Sequence, residues 1–352
     1  MFLRNFWYAA AWPSEIADKP LARTICGEPI AMFRTGDGKI VALEDRCCHR
    51  NLPLSMGKVE GKNLRCGYHG LLFDRSGSCI EVPGQSQIPP GAQVRAYPLV
   101  EKWKLLWIWM GDPARVDEAT IPNWFYMDHP DWLAAHGNDE KPLYMRCNWE
   151  LNNDNLLDLS HVIYVHTETL GGANLDRFPI RTERFEHMVS MKRFVLNVPP
   201  MPLFARYMNL SGNMDRWQES EITAPAHCIV DAGFAPHGQF RANEERTGVP
   251  LGFRALITAT PETEDTSFMF YAQCRNFARD NAELTKKFIA DFRGVFLEDI
   301  LVMEAQQRIN SVHPEVSKID INADAAHIAM RQVVRRLASL ETGAKPRATA
   351  AE

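Results

Sequence analysis

The sequence contains no run of the roughly 18 consecutive apolar residues that a bilayer-spanning helix needs, which excludes an α-helical transmembrane enzyme. It also lacks any block of Lys or Arg. With a formal net charge of -5 and a pI near 6.1, it offers no electrostatic footprint for nucleic acid or for an acidic membrane surface. No G-x-G-x-x-G stands behind a strand to hold a nicotinamide or flavin, and no internal repeat is present. The expected location is the cytoplasm. In that reducing compartment the eight cysteines read as metal ligands or buried thiols rather than as disulfides.

What is present is an ordinary globular composition, with 45% hydrophobic and 24% charged residues. At 352 residues, two domains are expected. Residues 1–112 hold short apolar runs broken by turn signals such as Thr35-Gly36-Asp37-Gly38 and Arg75-Ser76-Gly77-Ser78, and read as an all-β domain closed by Leu105–Met110. Residues 113–352 read as an α+β domain. A helix is expected over 147–168, an antiparallel sheet from segments 184–196, 214–222, 227–235, 251–259 and 266–275, and two amphipathic helices near 280–310 and 323–340. A short Ala/Thr/Lys tail, expected to be disordered, follows.

Two groups of residues carry chemistry. In the first, Cys47-Cys48-His49 is followed by Cys66-Gly67-Tyr68-His69, giving Cys-x-His and then Cys-x-x-His in β-rich loops. Two thiolates and two imidazoles are the donor set of a Rieske [2Fe–2S] centre, where two His replace two Cys on one iron and raise the reduction potential. With 8 Cys and 11 His, this pattern arises by chance in roughly 2 of 10,000 such chains. A structural Cys₂His₂ zinc site is the alternative, although zinc pairs rarely mix Cys and His within each pair. Spacing selects Cys47 over Cys48, which is assigned to packing.

The second group lies in the expected middle helix, Asp154-Asn155-Leu156-Leu157-Asp158-Leu159-Ser160-His161 through His166. At about 100° per residue, His161 and His166 diverge by roughly 140°, so the helix must bulge or end for both to face one ion. Two partly buried histidines with satisfied hydrogen bonds are the bland alternative. Asp299 lies on the apolar stripe of the later helix with Phe288, Phe292, Val295, Phe296 and Val302, whereas Glu298 is expected to point away. An acid facing a core needs a partner or a metal, so Asp299 is read as the third member of a two-His, one-carboxylate site for Fe(II).

The segments Cys47-x-His49-Arg50, Pro53-Leu54-Ser55, Cys66-x-Tyr68-His69-Gly70-Leu71, Phe73-Asp74 and Asp154-Asn155-x-x-Asp158-x-x-His161-x4-His166, with the opening Asn5-Phe6-Trp7-Tyr8, resemble the α-subunits of Rieske non-heme iron oxygenases. The similarity is greatest to vanillate O-demethylase oxygenases, especially at Asp215-Arg216-Trp217-Gln218, with dicamba O-demethylase and toluene-sulfonate methyl-monooxygenase as relatives. Cys48 departs from the pattern, which usually has Pro there. The resemblance implies a helix-grip-like second domain around a mononuclear iron and a head-to-tail homotrimer. It also gives catalytic roles to Asp158, as a bridge from His69 of the next subunit to the iron-side histidines, and to Asn155, beside the iron. Electrons would come from NADH through a separate reductase carrying flavin and a ferredoxin-type iron–sulfur centre.

The implied reaction is O2-dependent hydroxylation of a methyl group on a small aromatic acid. The first expectation is O-demethylation of a vanillate-like methoxybenzoate, of the kind derived from lignin, with formaldehyde release. Alternatives are a toluene-sulfonate methyl group, another aryl ether, an electron carrier without oxygenase activity, or a zinc-stabilised interaction protein. Pocket candidates are the Val198–Phe204 stretch with His227, Phe253, Phe270 and Gln273, and Arg206, Arg254 and Arg275 are candidate anchors for an acid group.

Overall fold

The computed structural model describes residues 1–136, 141–171, 175–208, 210–238, 251–316 and 319–343; the Ala/Thr/Lys tail lies outside them. In the first third, short apolar runs become β1 (Trp7–Ala11), β2 (Leu21–Ile25), β3 (Glu28–Arg34), β4 (Ile40–Glu44), β5 (Lys58–Glu60), β6 (Asn63–Arg65), β7 (Leu72–Phe73), β8 (Cys79–Glu81), β9 (Ala96–Tyr97), β10 (Leu99–Lys102) and β11 (Leu105–Trp109). They form three small antiparallel sheets, β1-β11-β10, β2-β3-β4-β9 and β5-β6-β7-β8. Turn chemistry enforces these hairpins. At Gly77, φ is +82° and a Cβ would meet the Val94 carbonyl oxygen at 2.1 Å, so only glycine fits.

The rest of the chain builds one eight-stranded antiparallel sheet from β12 (Leu133–His136), β13 (Leu143–Met145), β14 (Ile180–Arg184), β15 (Met188–Val198), β16 (Met214–Thr223), β17 (His227–Pro236), β18 (Leu251–Pro261) and β19 (Ser267–Arg275). The order is β12-β19-β18-β17-β16-β15-β14, with β13 also on β19. The five expected strands correspond to β15–β19, and Glu262–Thr266 turns β18 into β19. β12, β13 and β14 are too short to show an alternation in the sequence.

Helices α1 (Trp149–Leu156), α2 (Val162–Val165), α3 (Pro202–Met208), α4 (Ala282–Val312) and α5 (Ala325–Thr342) complete the fold. The inner sheet face, with Phe253, Ala255 and Ile257, packs against Phe288, Phe292 and Phe296 of α4 and Val333 of α5. The outer face, with Leu256, Phe270, Ala272 and Cys274, packs against Trp7, Trp12, Trp107 and Trp124. Because both faces are covered, β18 is buried along almost its whole length and is mostly apolar, with Arg254, Thr258 and Thr260 as its polar residues. At roughly 1.5–3 kcal/mol for each fully buried large side chain, this double cover dominates the packing energy.

Double cover also corrects two pocket assignments. His227 and Phe270 lie on the outer face. Phe270 packs edge-on to Trp12, and His227 Nδ1 lies 2.9 Å from Thr258 Oγ1 while its Nε2 lies 3.1 Å from the Trp7 carbonyl oxygen. A shift of one residue exchanges the faces of a strand, and an apolar run covered on both sides does not reveal which face is which. His227 therefore ties the N-terminal strand to the large sheet, alongside Thr260, whose hydroxyl donates to the Ala9 carbonyl at 2.8 Å.

Burial pushes His227 down to about 4, so it is neutral near pH 7. The sign follows. A histidine depressed in the folded state contributes stability above the unfolded value of about 6.5, and that contribution is lost as pH falls toward about 4. His227→Leu should cost about 1–3 kcal/mol at pH 7.5 by stranding two buried polar groups. The gap in Tm between wild type and variant, followed by calorimetry, should narrow as pH is lowered from 7 to 5.

Candidate functional site

In the N-terminal half, two loops share one hydrogen-bond pattern. Cys47 N donates to Leu52 O and Asn51 N to Cys47 O, while Cys66 N donates to Leu71 O and Gly70 N to Cys66 O. Asn51 at φ 56° and Gly70 at φ 74° adopt the left-handed conformation that reverses each loop. Gly67 is required because a Cβ would stand 2.9 Å from the Met56 carbonyl oxygen. Asp45 braces the first loop from beneath, accepting from Ser55 N at 2.7 Å and Ser55 Oγ at 2.6 Å.

These loops bury the Cys47 and Cys66 thiols and expose the His49 and His69 imidazoles, whose ring centroids are 4.5 Å apart. Burial, with the adjacent Cys66 thiol, pushes Cys47 up to about 11. Two inner sulfurs and two outer nitrogens fit a [2Fe–2S] cluster with its histidine-bound iron toward solvent. Cys48 is half-buried against the same core.

In the second half, the helix expected over 147–168 is broken. Asn148 caps α1, its Oδ1 accepting from Glu150 N, and α1 ends at Leu156. Asp158 Oδ1 then accepts from Ser160 N at 2.6 Å and Ser160 Oγ at 2.5 Å, a side-chain-capped turn that competes with helical hydrogen bonding. The chain resumes as α2, a single turn whose ends are His161 and His166. This break removes the angular divergence that an intact helix would impose.

His161, His166 and Asp299 of α4 converge, with one ligand atom from each lying within 4.8 Å of the others. Asp299 Oδ1 is 3.4 Å from His161 Nε2, 3.0 Å from His166 Nε2 and 3.0 Å from Asn155 Nδ2, which donates to it. Burial alone pushes the Asp299 carboxyl up, but the two imidazoles outweigh it and hold it down to about 2. Burial likewise pushes His166 down, and the Asp299 and Glu298 carboxylates reverse this and raise it.

Of the two far nitrogens, that of His166 is braced. His166 Nδ1 lies 2.6 Å from Glu298 Oε2, and His161 Nδ1 lies 3.8 Å from Asp158 Oδ2 with no hydrogen-bond partner within reach. Glu298 therefore does not point away. Its Cβ lies off the apolar stripe, but the longer side chain reaches round the helix to the ring. With Glu298 orienting His166, Asp158 standing near His161, and both Nε2 atoms facing the buried Asp299 carboxylate, the three residues form a donor set suited to non-heme Fe(II). Val302 of the expected stripe is 37% exposed, so the buried face ends with Ile300 and Met303.

The triad opens on a cavity between α4 and the inner sheet face, walled by Leu170, Met201, Phe253, Ile257, Phe292 and Phe296. Asn155 and Asp158 line it, and so do Gln218 and Ser220 of β16. Of the sequence-read pocket residues only Phe253 and, from the 198–204 stretch, Met201 reach it. Arg206 is exposed on α3. Arg254 pairs with Asp231 at 2.8 Å and lies over Trp132, and Arg275 donates to the Phe277 and Asn281 carbonyls and to Thr285 Oγ1. Gln273 is buried beside the cavity without lining it. Sequence reasoning missed Gln218, Ser220 and Glu298.

Comparison with known proteins follows the same division. Residues 6–98 match the Rieske [2Fe-2S] domain, and residues 145–340 match the vanillate O-demethylase oxygenase C-terminal domain. The chain is 41% identical over 346 residues to a putative toluene-4-sulfonate monooxygenase system iron–sulfur subunit of Comamonas testosteroni, covering 97% of this chain and 99% of the relative. It is 33% identical to a vanillate O-demethylase oxygenase subunit of a Pseudomonas species, covering 97% and 96%. The crystal structure of dicamba monooxygenase bound to 3,6-dichlorosalicylic acid matches with a TM-score of 0.89 at 30% identity, covering 97% of this chain and 99% of that one.

Glu298→Gln should weaken Fe(II) binding at the triad roughly 10–100-fold, because the charge that orients His166 is removed. Lowering the pH from 8 to 6 should also weaken Fe(II) binding in the wild type, since the raised proton affinity of His166 makes the proton a competitor. Calorimetric titration of Fe(II) under anaerobic conditions measures both.

Proposed function

Since this chain belongs to the vanillate O-demethylase family of Rieske non-heme iron oxygenases, we propose that it hydroxylates a methyl group of a small aromatic acid, with O-demethylation of a methoxybenzoate as the leading reaction. The observation that carries this reading is the convergence of His161, His166 and Asp299 at the edge of a cavity whose walls are otherwise largely apolar. When bound, the cluster supplies electrons one at a time and the ferrous ion activates dioxygen.

The chain's own residues supply position and exclusion. Phe253, Phe292 and Phe296 offer flat apolar surface for an aromatic ring and keep bulk water from the triad. Asn155 donates to Asp299 Oδ1 and fixes that carboxylate, while Asp158, locked by Ser160, stands behind His161. Hydroxylation of an aryl methyl ether gives a hemiacetal, which expels formaldehyde and leaves a phenol. On a methyl arene the same step stops at the benzylic alcohol. That second reading is favoured by the 41% identity to the toluene-4-sulfonate relative.

The same reading includes a head-to-tail homotrimer, supported by the exposure of residues in both halves. His49 and His69 are exposed, and Asp158 keeps part of its carboxylate accessible beside His161. In the trimer His69 of one subunit would meet Asp158 of the next, so electrons would cross an interface. They would enter the cluster from a separate NADH-dependent reductase.

NADH-dependent oxygen uptake with a matched reductase, run across methoxylated and methylated aromatic acids, tests the reaction. Formaldehyde release marks demethylation. Asp299→Ala should retain the cluster spectrum and lose hydroxylation by at least about 100-fold, as expected when a ligand of the reactive metal is removed. Unchanged turnover in that variant would leave an electron carrier as the better description.

A further inference from the structure

Two arginines are buried with little counter-charge: among the described residues Asp158 acts on Arg193, and from beyond ion-pair distance. Arg193 of β15 is 2% exposed and Arg216 of β16 is 1% exposed, and among the described residues neither forms an ion pair. Arg193 Nη2 donates to the Leu159 carbonyl and to Gln218 Oε1, both at 2.9 Å, and Nη1 to the Leu175 carbonyl at 3.5 Å. Among the described residues Arg216 Nη2 donates only to the Leu170 carbonyl, at 3.4 Å. The Nε of each has no partner.

Both guanidinium groups lie directly behind one wall of the cavity. Leu159, Leu170 and Gln218, to which they donate, all line it. Arg193 is the register partner of Gln218, and Arg216, Gln218 and Ser220 alternate along β16 on one face. With its Oε1 held by Arg193, Gln218 keeps its amide N–H groups for the cavity. Neither they nor the Ser220 hydroxyl donate a hydrogen bond among the described residues.

A buried, unpaired cation is costly, and two that repel each other are costlier. Burial, only partly offset by the Asp158 carboxylate, pushes Arg193 down to about 10, and burial with the repulsion of Arg193 pushes Arg216 down to about 9. Among the described residues no Lys or Arg lines the cavity. The carboxylates of the cavity, Asp158 and Asp299, lie at the triad, while the β16 side has positive charge behind a wall that carries neutral donors.

We propose that β15 and β16 form an anion subsite, in which Gln218 and Ser220 donate to the carboxylate or sulfonate of the substrate while Arg193 and Arg216 neutralise it from behind. This deepens, and rests on, the reading of the substrate as an aromatic acid. The ring lies against Phe253 and Phe292, and the acid group faces β16. The arginines also brace the carbonyls of the segments that carry Asp158 and His166, so a purely mechanical role is the competing explanation.

Equilibrium binding separates the two without requiring turnover. 4-Methoxybenzoate and 4-methylbenzenesulfonate, with the uncharged 4-methoxybenzamide and 4-methylbenzenesulfonamide, are titrated into cluster-loaded protein. Wild type should bind the acids at least about tenfold more tightly than the amides, and the stronger of the two acids identifies the anion served. Arg216→Met and Gln218→Leu should erase that preference, with amide affinity moving by less than about threefold, and Arg216→Lys should restore part of it.

Equal affinity of wild type for acids and amides would overturn the subsite, as would variants that weaken acids and amides alike. The wild-type comparison decides even where a variant fails to fold. Acids that bind with the expected preference but are not oxidised would uphold the subsite and refute the methyl-hydroxylation reading. Amides that are oxidised while the acids neither bind nor react would do the reverse.

Discussion

The buried carboxylate of Asp299 is the constraint on which the site depends. A carboxylate that is 5% exposed is held ionised only because His161, His166 and Asn155 surround one of its oxygens. Each of those partners comes from the segment between Trp149 and His166, so that segment must leave the helical path to deliver all three. The break at Asp158 achieves this, and the same aspartate stands behind His161. Metal affinity, helix termination and the orientation of both imidazoles therefore rest on one cluster of carboxylate–imidazole contacts.

The large sheet connects that cluster to everything else. Its inner face and α4 enclose the cavity, while its outer face holds the N-terminal half through a tryptophan-rich core and the His227 and Thr260 contacts to β1. The protein thus places a solvent-facing pair of imidazoles in one half and a largely apolar pocket in the other. That separation suits the family's division of labour between electron delivery and oxygen chemistry. Exposed His69 is suited to exchange across an interface, whereas the buried triad is suited to a substrate that displaces water.

Much of this was legible in the sequence because spacing survives folding. The Cys-x-His and Cys-x-x-His loops, the alternating or β-branched and aromatic patterns of β15–β19 and the acid on the apolar stripe of α4 are all local patterns. The sequence was less informative where an element is covered on both faces or where a side chain outreaches its own backbone. His227 and Phe270 sit on the outer rather than the inner face, Arg254 and Arg275 are engaged elsewhere, and Arg206 faces solvent. Arg193 and Arg216 carried no signal as a pair because only the β15–β16 register brings them together. Glu298 was misplaced because a helical projection locates its Cβ, not a carboxylate that reaches back to His166.

The central claim is that one chain holds two kinds of iron, a cluster between Cys47, His49, Cys66 and His69 and a single ion at the triad. Iron and acid-labile sulfide counted per chain test it most directly. The account predicts about three irons and about two sulfides in the wild type, and about two of each in His161→Ala with the cluster absorption unchanged. Equal iron and sulfide in fully loaded wild-type protein, or a third iron that survives the substitution, would contradict it.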